Sequence, residues 1–199
     1  VLYFPLTSGR ERARRHGMEL SDAFPQSVHG GSMRYVIARQ GSQQPTESVA
    51  DILQQETKAG LADAATFVRL SKRIDASRDA LVRLLQELKG QGKRVAGYGA
   101  TSKSTTVTNF CGIGPDLIEF ISDTTPGKQG KLSPGVHIPV VPYNRFTESR
   151  PDIALLFAWN HATEILANEM AFRASGGQFI VYVPEVTILD DKTVYRHAG

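Results

Sequence analysis

The spacing of hydrophobic positions changes near residue 93, from a helical to an extended repeat. Residues 49–56 and 62–88 carry apolar side chains three and four positions apart, which predicts two helices. We expect the apolar stripe of the longer helix to be core packing against the next part of the chain. The stripe consists of Phe67, Leu70, Ile74, Leu81, Leu84, Leu85 and Leu88.

Short apolar runs after residue 93 predict strands. The four runs are residues 94–98, 117–123, 153–159 and 179–183. The third is almost wholly apolar, which is typical of a strand buried on both faces. Residues 105–111 and 162–174 are predicted helices between the strands. The alternation predicts an α/β fold with a Rossmann-like parallel sheet flanked by helices.

The chain before residue 49 has a different pattern. Residues 10–15 predict a helix, which His16 and Gly17 end. Residues 18–24 and 33–39 are extended stretches, and we expect them to pair as antiparallel neighbours. Residues 41–48 are polar and contain a proline, so they predict a linker.

These patterns predict three segments. Residues 1–40 would be the closing edge of a preceding domain, residues 41–92 a linker and helical connection, and residues 93–199 the Rossmann-like domain. Because the chain begins with Val1 in the middle of a pattern, we expect a fragment or a processed chain.

Composition excludes several classes of protein. The net charge is only +3, and several positive charges are arginines within residues 10–15, so nucleic acid is not an expected partner. No apolar run approaches the roughly 20 residues that span a membrane. Cys111 is the single cysteine, which excludes an intrachain disulfide and a cysteine-based zinc cluster. We expect a cytoplasmic protein.

Three loops come directly after predicted strands, at the sheet edge where α/β proteins bind ligands. They are residues 99–104, 123–137 and 159–161. In the first, Gly97, Gly99 and Lys103 resemble a phosphate-binding loop, although a third glycine is missing. A glycine turn that only lets a helix pack on a strand is the alternative. Asp123 ends the second strand, where an acid can hold a ribose hydroxyl or simply be solvated.

Other polar residues give weaker signals. Lys128 and Lys131 suit a phosphate or a sugar, or form an ordinary basic turn. For His137 and His161 we favour structural roles. Glu164 and Glu169 lie on a predicted helix, where we expect them to face solvent or to be ion-paired. No Ser-His-Asp set, carboxylate pair or metal-ligand spacing is evident, so we predict no metal site and the catalytic residues stay unknown.

Several short motifs carry a family resemblance. They are HGGSMR at 29–34, GYGA at 97–100 with Lys103, NFCG at 109–112, KQG at 128–130, PGVHIP at 134–139, WN at 159–160 and GGQFI at 176–180. In this order they resemble the S-adenosylmethionine-dependent sugar C-methyltransferases. The resemblance covers nearly all of the chain.

That resemblance implies a bacterial enzyme of three parts: a zinc-binding domain, a central methyltransferase domain and a Rossmann-like C-terminal domain for the nucleotide-sugar. This chain resembles the third part, preceded by the edge of the second. The glycine-rich loop for S-adenosylmethionine and the family's catalytic tyrosine, glutamate and histidine are not among its residues. We therefore expect the fragment alone to be inactive and to bind no cofactor, with the missing domains as its partners.

The implied reaction forms an enolate from a nucleotide-linked, dTDP-type 4-keto deoxysugar, which then takes the methyl group of S-adenosylmethionine. The resemblance implies these substrate-binding residues: Gly99, Ala100, Thr101, Ser102, Lys103, Asp123, Lys128, His137, Trp159 and Asn160. His29 and Arg34 are predicted to line an interdomain cleft. The family often has Pro-Ala-Lys-Gly where this chain has Thr-Ser-Lys-Ser at 101–104, so nucleotide contacts can differ in detail.

Two alternatives stay open. Gly97, Gly99 and Asp123 also suit an NAD(P)-binding oxidoreductase domain, although no catalytic pair accompanies them. The chain could also be a stand-alone nucleotide-binding module that lost the methyltransferase domain.

Overall fold

A computed structural model describes residues 4–26 and 31–190. The chain divides into two compact units, Val1–Arg73 and Ile74–Ala198. The predicted three-part division at residues 40 and 92 stays a prediction.

The first unit is a strand pair with two helices. Its elements are α1 (Leu6–Arg14), β1 (Met18–Gln26), β2 (Ser32–Arg39) and α2 (Glu47–Lys58). The two strands pair antiparallel, with Met18 opposite Arg39, as the sequence predicts. A small core joins helices and strands through Leu6, Leu20, Ala23, Val49 and Ile52.

Helix α3 (Ala64–Gly90) runs across the division between the units. The predicted long helix is confirmed, but only part of its apolar stripe is buried. Leu81, Leu85 and Leu88 lie in the core of the second unit. The side chains of Phe67, Leu70 and Ile74 are about half exposed, at 52%, 48% and 47%. The prediction that they pack in a core is wrong, because periodicity marks an apolar face but not how much of that face is covered.

The second unit continues with alternating strands and helices. These are β3 (Val95–Tyr98), α4 (Ser102–Cys111), β4 (Ile121–Ser122), β5 (Val140–Val141), α5 (Tyr143–Ser149), β6 (Ile153–Leu156), α6 (Ala162–Asn168), α7 (Met170–Ala174), β7 (Gln178–Val181) and β8 (Thr187–Leu189). Two short 3-10 turns, Pro126–Lys128 and Trp159–His161, come after β4 and β6.

The six strands form one sheet in the order β5-β4-β3-β6-β7-β8. All neighbours are parallel except β7 and β8. The predicted α/β class with a Rossmann-like parallel sheet is therefore confirmed. The strand order reverses between β3 and β6, and such a switch point opens a crevice beyond the carboxyl ends of its two strands.

Several predicted bounds differ from the structure. Strand β4 has two residues where the pattern predicts 117–123, because Gly114 and Pro115 begin a turn in which the Gly114 carbonyl accepts from Leu117 N and Ile118 N. Helix α4 begins at Ser102, three residues early, and Gly112 ends it with φ 65°. The predicted helix 162–174 breaks into α6 and α7 at Glu169. The sequence pattern does not predict β5, α5 and β8.

The sheet has a core on each face. One face packs apolar residues of α3, such as Leu81 and Leu85, against Ile121, Leu155 and Phe157. The other packs Phe146 of α5 and Leu166 of α6 against strand residues that include Phe179. Strand β6 is buried throughout, as its continuous apolar run predicts.

A search of the described helices for a membrane span finds none with the required length and apolar character.

Candidate functional site

Two glycines at the end of β3 have different roles. Gly97 lies inside β3, where a Cβ atom would stand 2.8 Å from Phe157 and 2.9 Å from Ile121. Gly99 has φ 90°, which L side chains rarely adopt, and turns the chain out of the strand. Gly97 therefore serves packing, and Gly99 makes the turn that leads into α4.

Helix α4 directs its amino end at this edge of the sheet. Thr101 caps the helix, because its side-chain oxygen accepts from Ser104 N at 3.3 Å. Residues Ser102 and Lys103 open the first turn, where N–H groups have no intrahelical acceptor. The end of a helix of this length attracts anions through these N–H groups and the helix dipole.

Lys103 points its ammonium group across the switch point. Its Nζ donates to Asn160 Oδ1 at 2.9 Å, and lies 5.5 Å from the centre of the Trp159 ring. Within residues 4–26 and 31–190, no ion pair includes Lys103. The side chain is half-buried, so its positive charge is held in place beside the α4 amino end without a carboxylate partner.

Asp123 comes directly after β4 and is turned toward the protein. Its side chain is 8% exposed. Oδ2 accepts from Ala100 N at 2.7 Å and from Lys128 Nζ at 3.2 Å, while Oδ1 accepts from Thr125 N at 2.8 Å. Burial alone would raise the pKa of this carboxyl, but the hydrogen bonds from Thr125 and Lys128 outweigh it and lower the pKa below its ordinary value.

Asp123 thus joins two loops. Through Ala100 it holds the chain just after Gly99, and through Lys128 it holds the 3-10 turn Pro126–Lys128. The Gln129 side chain closes the second loop by donating from Nε2 to the Asp123 carbonyl at 2.9 Å. All these contacts are to the protein, and the predicted contact to a ribose hydroxyl stays a prediction.

The structure brings most of the predicted substrate-binding residues to one edge. Two groups form there: Ala100, Asp123 and Lys128 around one carboxylate, and Lys103, Trp159 and Asn160 around one ammonium group. The chain segment 99–103 connects them. That these residues bind a substrate stays a prediction.

His137 is not part of this group. It lies in the turn between Ser133 and Ile138, just before β5, at the amino edge of the parallel sheet. That turn contacts the far half of α4, where Asn109 Nδ2 donates to the Pro134 carbonyl. The loop that begins at the carboxyl edge with Asp123 has by then crossed to the opposite edge, so the geometry gives a binding role for His137 no support.

The two predicted cleft residues belong to the first unit. Arg34 lies exposed in β2, with Nη2 3.5 Å from Gln26 Oε1. His29 lies outside the described residues. Their role at an interdomain cleft stays a prediction.

A buried carboxylate near the site is not evident from the sequence. Glu169 is 5% exposed, so the expectation that it faces solvent is wrong. Its Oε1 accepts from the Tyr98 hydroxyl at 2.7 Å. Burial first, and then Glu169, raises the pKa of Tyr143. A signal exists, because Glu169 stands seven residues after Ala162 and three after Leu166, on the same buried helix face.

Comparison with known proteins assigns the chain to a family. Residues 27–184 match the family described as C-methyltransferase C-terminal domain. The chain is also 37% identical over 188 residues to the C-methyltransferase NovU of Streptomyces niveus, an alignment that covers 94% of this chain. The chain spans 45% of the length of that relative.

Proposed function

The chain belongs to the C-methyltransferase C-terminal domain family, and we propose that its second unit binds the nucleotide part of a nucleotide-linked 4-keto deoxysugar. The whole protein would be an S-adenosylmethionine-dependent C-methyltransferase. In it, this unit would hold the sugar for methyl transfer that takes place elsewhere in the protein.

The observation that carries the proposal is the Lys103 ammonium group at the amino end of α4. A diphosphate placed in the crevice would meet the Ser102 and Lys103 N–H groups and the Lys103 charge together. Asn160, which now accepts from Lys103, could donate its amide N–H to a phosphate oxygen. Gly99 leaves the backbone open to close approach, since it carries no Cβ.

Other residues of the edge would define the rest of the site. We propose that Ala100 and Thr101 line the phosphate-binding loop. Lys128, which donates to Asp123, would provide a second cationic contact. The Trp159 ring offers a flat apolar surface for a base or a sugar ring. His137 has no place in this proposal.

The position of Asp123 argues against the oxidoreductase alternative. An NAD-binding domain offers the acid at the end of its second strand to a ribose hydroxyl. Here that carboxylate is 8% exposed and accepts from Ala100, Thr125 and Lys128. A ligand held mainly by its phosphates fits this edge better than one held by its ribose.

The same reasoning applies to S-adenosylmethionine, whose ribose would call for the same acid. The Asp123 carboxylate already accepts from Ala100, Thr125 and Lys128, so the second unit does not fit that donor. The contribution of this chain is to bind and orient the sugar nucleotide, an effect that is large in a reaction between two substrates. The alternative of a stand-alone nucleotide-binding module shares this site and differs only in lacking a reaction after the binding step.

Calorimetric titration of the 199-residue chain with dTDP, UDP, NAD and S-adenosylmethionine tests the proposal. We expect a nucleoside diphosphate to bind, with an affinity that decreases as salt is added. Lys103→Ala should weaken it about tenfold, the size of a charge-assisted hydrogen bond. Lys89→Ala is the matched control, because Lys89 is an exposed lysine that pairs with Asp116, on the loop that precedes β4.

Three outcomes would contradict the proposal. Tight binding of NAD would favour the oxidoreductase domain. Binding of dTDP that Lys103→Ala leaves unchanged would remove the loop from the site. Absence of binding by both diphosphates would leave the second unit without the proposed ligand.

A further inference from the structure

Glu169 is a buried acid that has no part in the proposed binding of phosphates. It stands at the break between α6 and α7, with φ −98° and ψ 30°, where the helix is interrupted around it. A buried carboxylate is costly unless donors satisfy it, and the Tyr98 hydroxyl donates to this one at 2.7 Å. The Tyr98 ring packs edge-on against the rings of Tyr143, Phe146 and Phe179.

The two ends of the Tyr98–Glu169 hydrogen bond lie in the two segments that form the site. Tyr98 is the last residue of β3 and directly precedes Gly99. Glu169 ends the helix α6 that begins directly after the turn Trp159–His161. The bond from Lys103 to Asn160 joins the same two segments at the sheet edge. Segments 98–103 and 159–169 are therefore tied twice, at 2.7 Å and at 2.9 Å.

We infer that Glu169 and Tyr98 are positioning residues that set the separation of Lys103 from Trp159 and Asn160. The bond from Tyr98 to Glu169 fixes where β3 ends relative to α6. It therefore also fixes where the Lys103 ammonium group lies relative to the Trp159 ring. The inference rests on the proposed function only in naming the ligand, a nucleoside diphosphate, whose phosphates need that separation.

Ionisation chemistry agrees with a permanent tie. Burial and then the hydrogen bond to Glu169 raise the pKa of Tyr98 far above its ordinary value. The phenol therefore keeps its proton above its ordinary pKa of 10.0, and it remains a donor to Glu169. The tie is a fixed brace and not a switch.

The single tryptophan of the chain makes the inference measurable without a ligand. Trp159 is the only tryptophan, and the Lys103 ammonium group lies 5.5 Å from the centre of its ring, so its fluorescence should respond when that separation changes. The test compares four variants with the wild-type chain: Tyr98→Phe, Glu169→Ala, Glu169→Gln and Glu164→Ala. The last is the control, an exposed glutamate on the same helix. All emission spectra are recorded well below the unfolding temperatures.

We expect Tyr98→Phe and Glu169→Ala to shift the Trp159 emission and to increase its quenching by acrylamide. Both should weaken dTDP binding about fivefold, the size of one hydrogen bond. Glu169→Gln keeps an acceptor and should restore most of the emission and the affinity. In a Lys103→Ala background, Tyr98→Phe should have no further effect on affinity, because it acts through Lys103.

The readouts separate this inference from the proposed function. If emission shifts as expected while even the wild-type chain binds no diphosphate, the brace is supported and the ligand is wrong. If the wild-type chain binds dTDP while Tyr98→Phe and Glu169→Ala lose stability but keep wild-type emission and affinity, Glu169 is only structural and the inference is overturned. A shift in Glu164→Ala equal to that in Glu169→Ala would also overturn it.

Discussion

The two faces of the six-stranded sheet are packed by different chemistry. On the face covered by α3 and α4, apolar side chains form the core cluster together with Tyr182, and Gly97 leaves room for Phe157. The buried hydroxyls of Ser104 and Thr108 bond to backbone carbonyls within their own segment.

On the face covered by α5, α6 and α7, aromatic rings pack against one another, and the Tyr98 hydroxyl donates to the buried carboxylate of Glu169. The first face is held mainly by apolar packing. The second also contains the hydrogen bond from Tyr98 to Glu169, which has a fixed direction.

This difference separates stability from geometry. Apolar packing is non-directional, so a change on the first face should reduce stability without moving the site. A hydrogen bond fixes direction and distance, so a change on the second face should alter the site at a smaller cost in stability. Four substitutions test that separation, in decreasing order of their expected cost in stability.

Leu85→Ala removes a fully buried side chain from α3 on the apolar face. We expect the free energy of unfolding to decrease by about 2–5 kcal/mol, from lost burial and the cavity that remains. Chemical denaturation measures it, with the exposed neighbour Arg83→Ala as control. Trp159 packs against this cluster as well as the opposite one, so its emission can respond to the cavity. The affinity of the folded variant for dTDP should stay as in the wild type, and a loss of affinity would break the separation of the two faces.

Gly97→Ala adds a methyl group whose carbon would lie less than 3 Å from side-chain atoms of Phe157 and Ile121. Overpacking should reduce the free energy of unfolding by about 1–3 kcal/mol. Gly90→Ala provides the opposite sign, because a Cβ there meets nothing and alanine favours the helix by up to about 1 kcal/mol. Equal stability of the two variants in thermal unfolding would contradict the packing role of Gly97.

Asp123→Asn changes the buried carboxylate that follows β4 at the carboxyl edge of the sheet. The lowered pKa means that the carboxylate stabilises the fold above its ordinary value of 3.8, and that this stabilisation is lost as pH falls through the folded-state pKa. We expect the variant to lose about 1–2 kcal/mol at neutral pH and to show a flatter decline in acid. Denaturation at a series of pH values tests this, with exposed Asp116→Asn as control. A decline as steep as that of the wild type would contradict it.

Tyr143→Phe should have the smallest effect, below about 1 kcal/mol at neutral pH, because Tyr98 still satisfies Glu169. Burial first, and then Glu169, raises the pKa of Tyr143 to about 12. The neutral phenol is favoured in the folded state, so its stabilisation is present below pH 10 and is lost as pH rises toward 12. The stability of the variant should therefore decrease less steeply in alkali, and an identical alkaline slope would contradict the contact.

Some of this architecture could be predicted because its signal is local. The continuous apolar run at 153–156 identifies a strand buried on both faces, and Gly112 marks the end of α4. Strands β4 and β5 have two residues each and exist through pairing with distant neighbours, so the sequence shows them poorly. Half-exposed Phe67 has the same spacing as buried Leu85, and only the structure distinguishes them.

The candidate site divides in the same way. Gly99, Lys103 and Asp123 lie at strand ends, where the rule for ligand position finds them. The bond from Lys103 to Asn160 spans 57 positions, and the bond from Tyr98 to Glu169 spans 71. The spacing of Glu169 from Ala162 and Leu166 indicates the buried helix face, but its bond to Tyr98 required coordinates.

Helix α4 ends at the single cysteine of the chain, so a thiol reagent can probe that end of the helix. Burial raises the pKa of the Cys111 thiol, although Arg78 lowers it in part. Alkylation of the native protein should therefore be slower than that of an unfolded chain, because the thiol is partly buried and less readily ionised. Slower alkylation in the presence of a nucleoside diphosphate would reveal how far binding at one end of α4 is felt at the other.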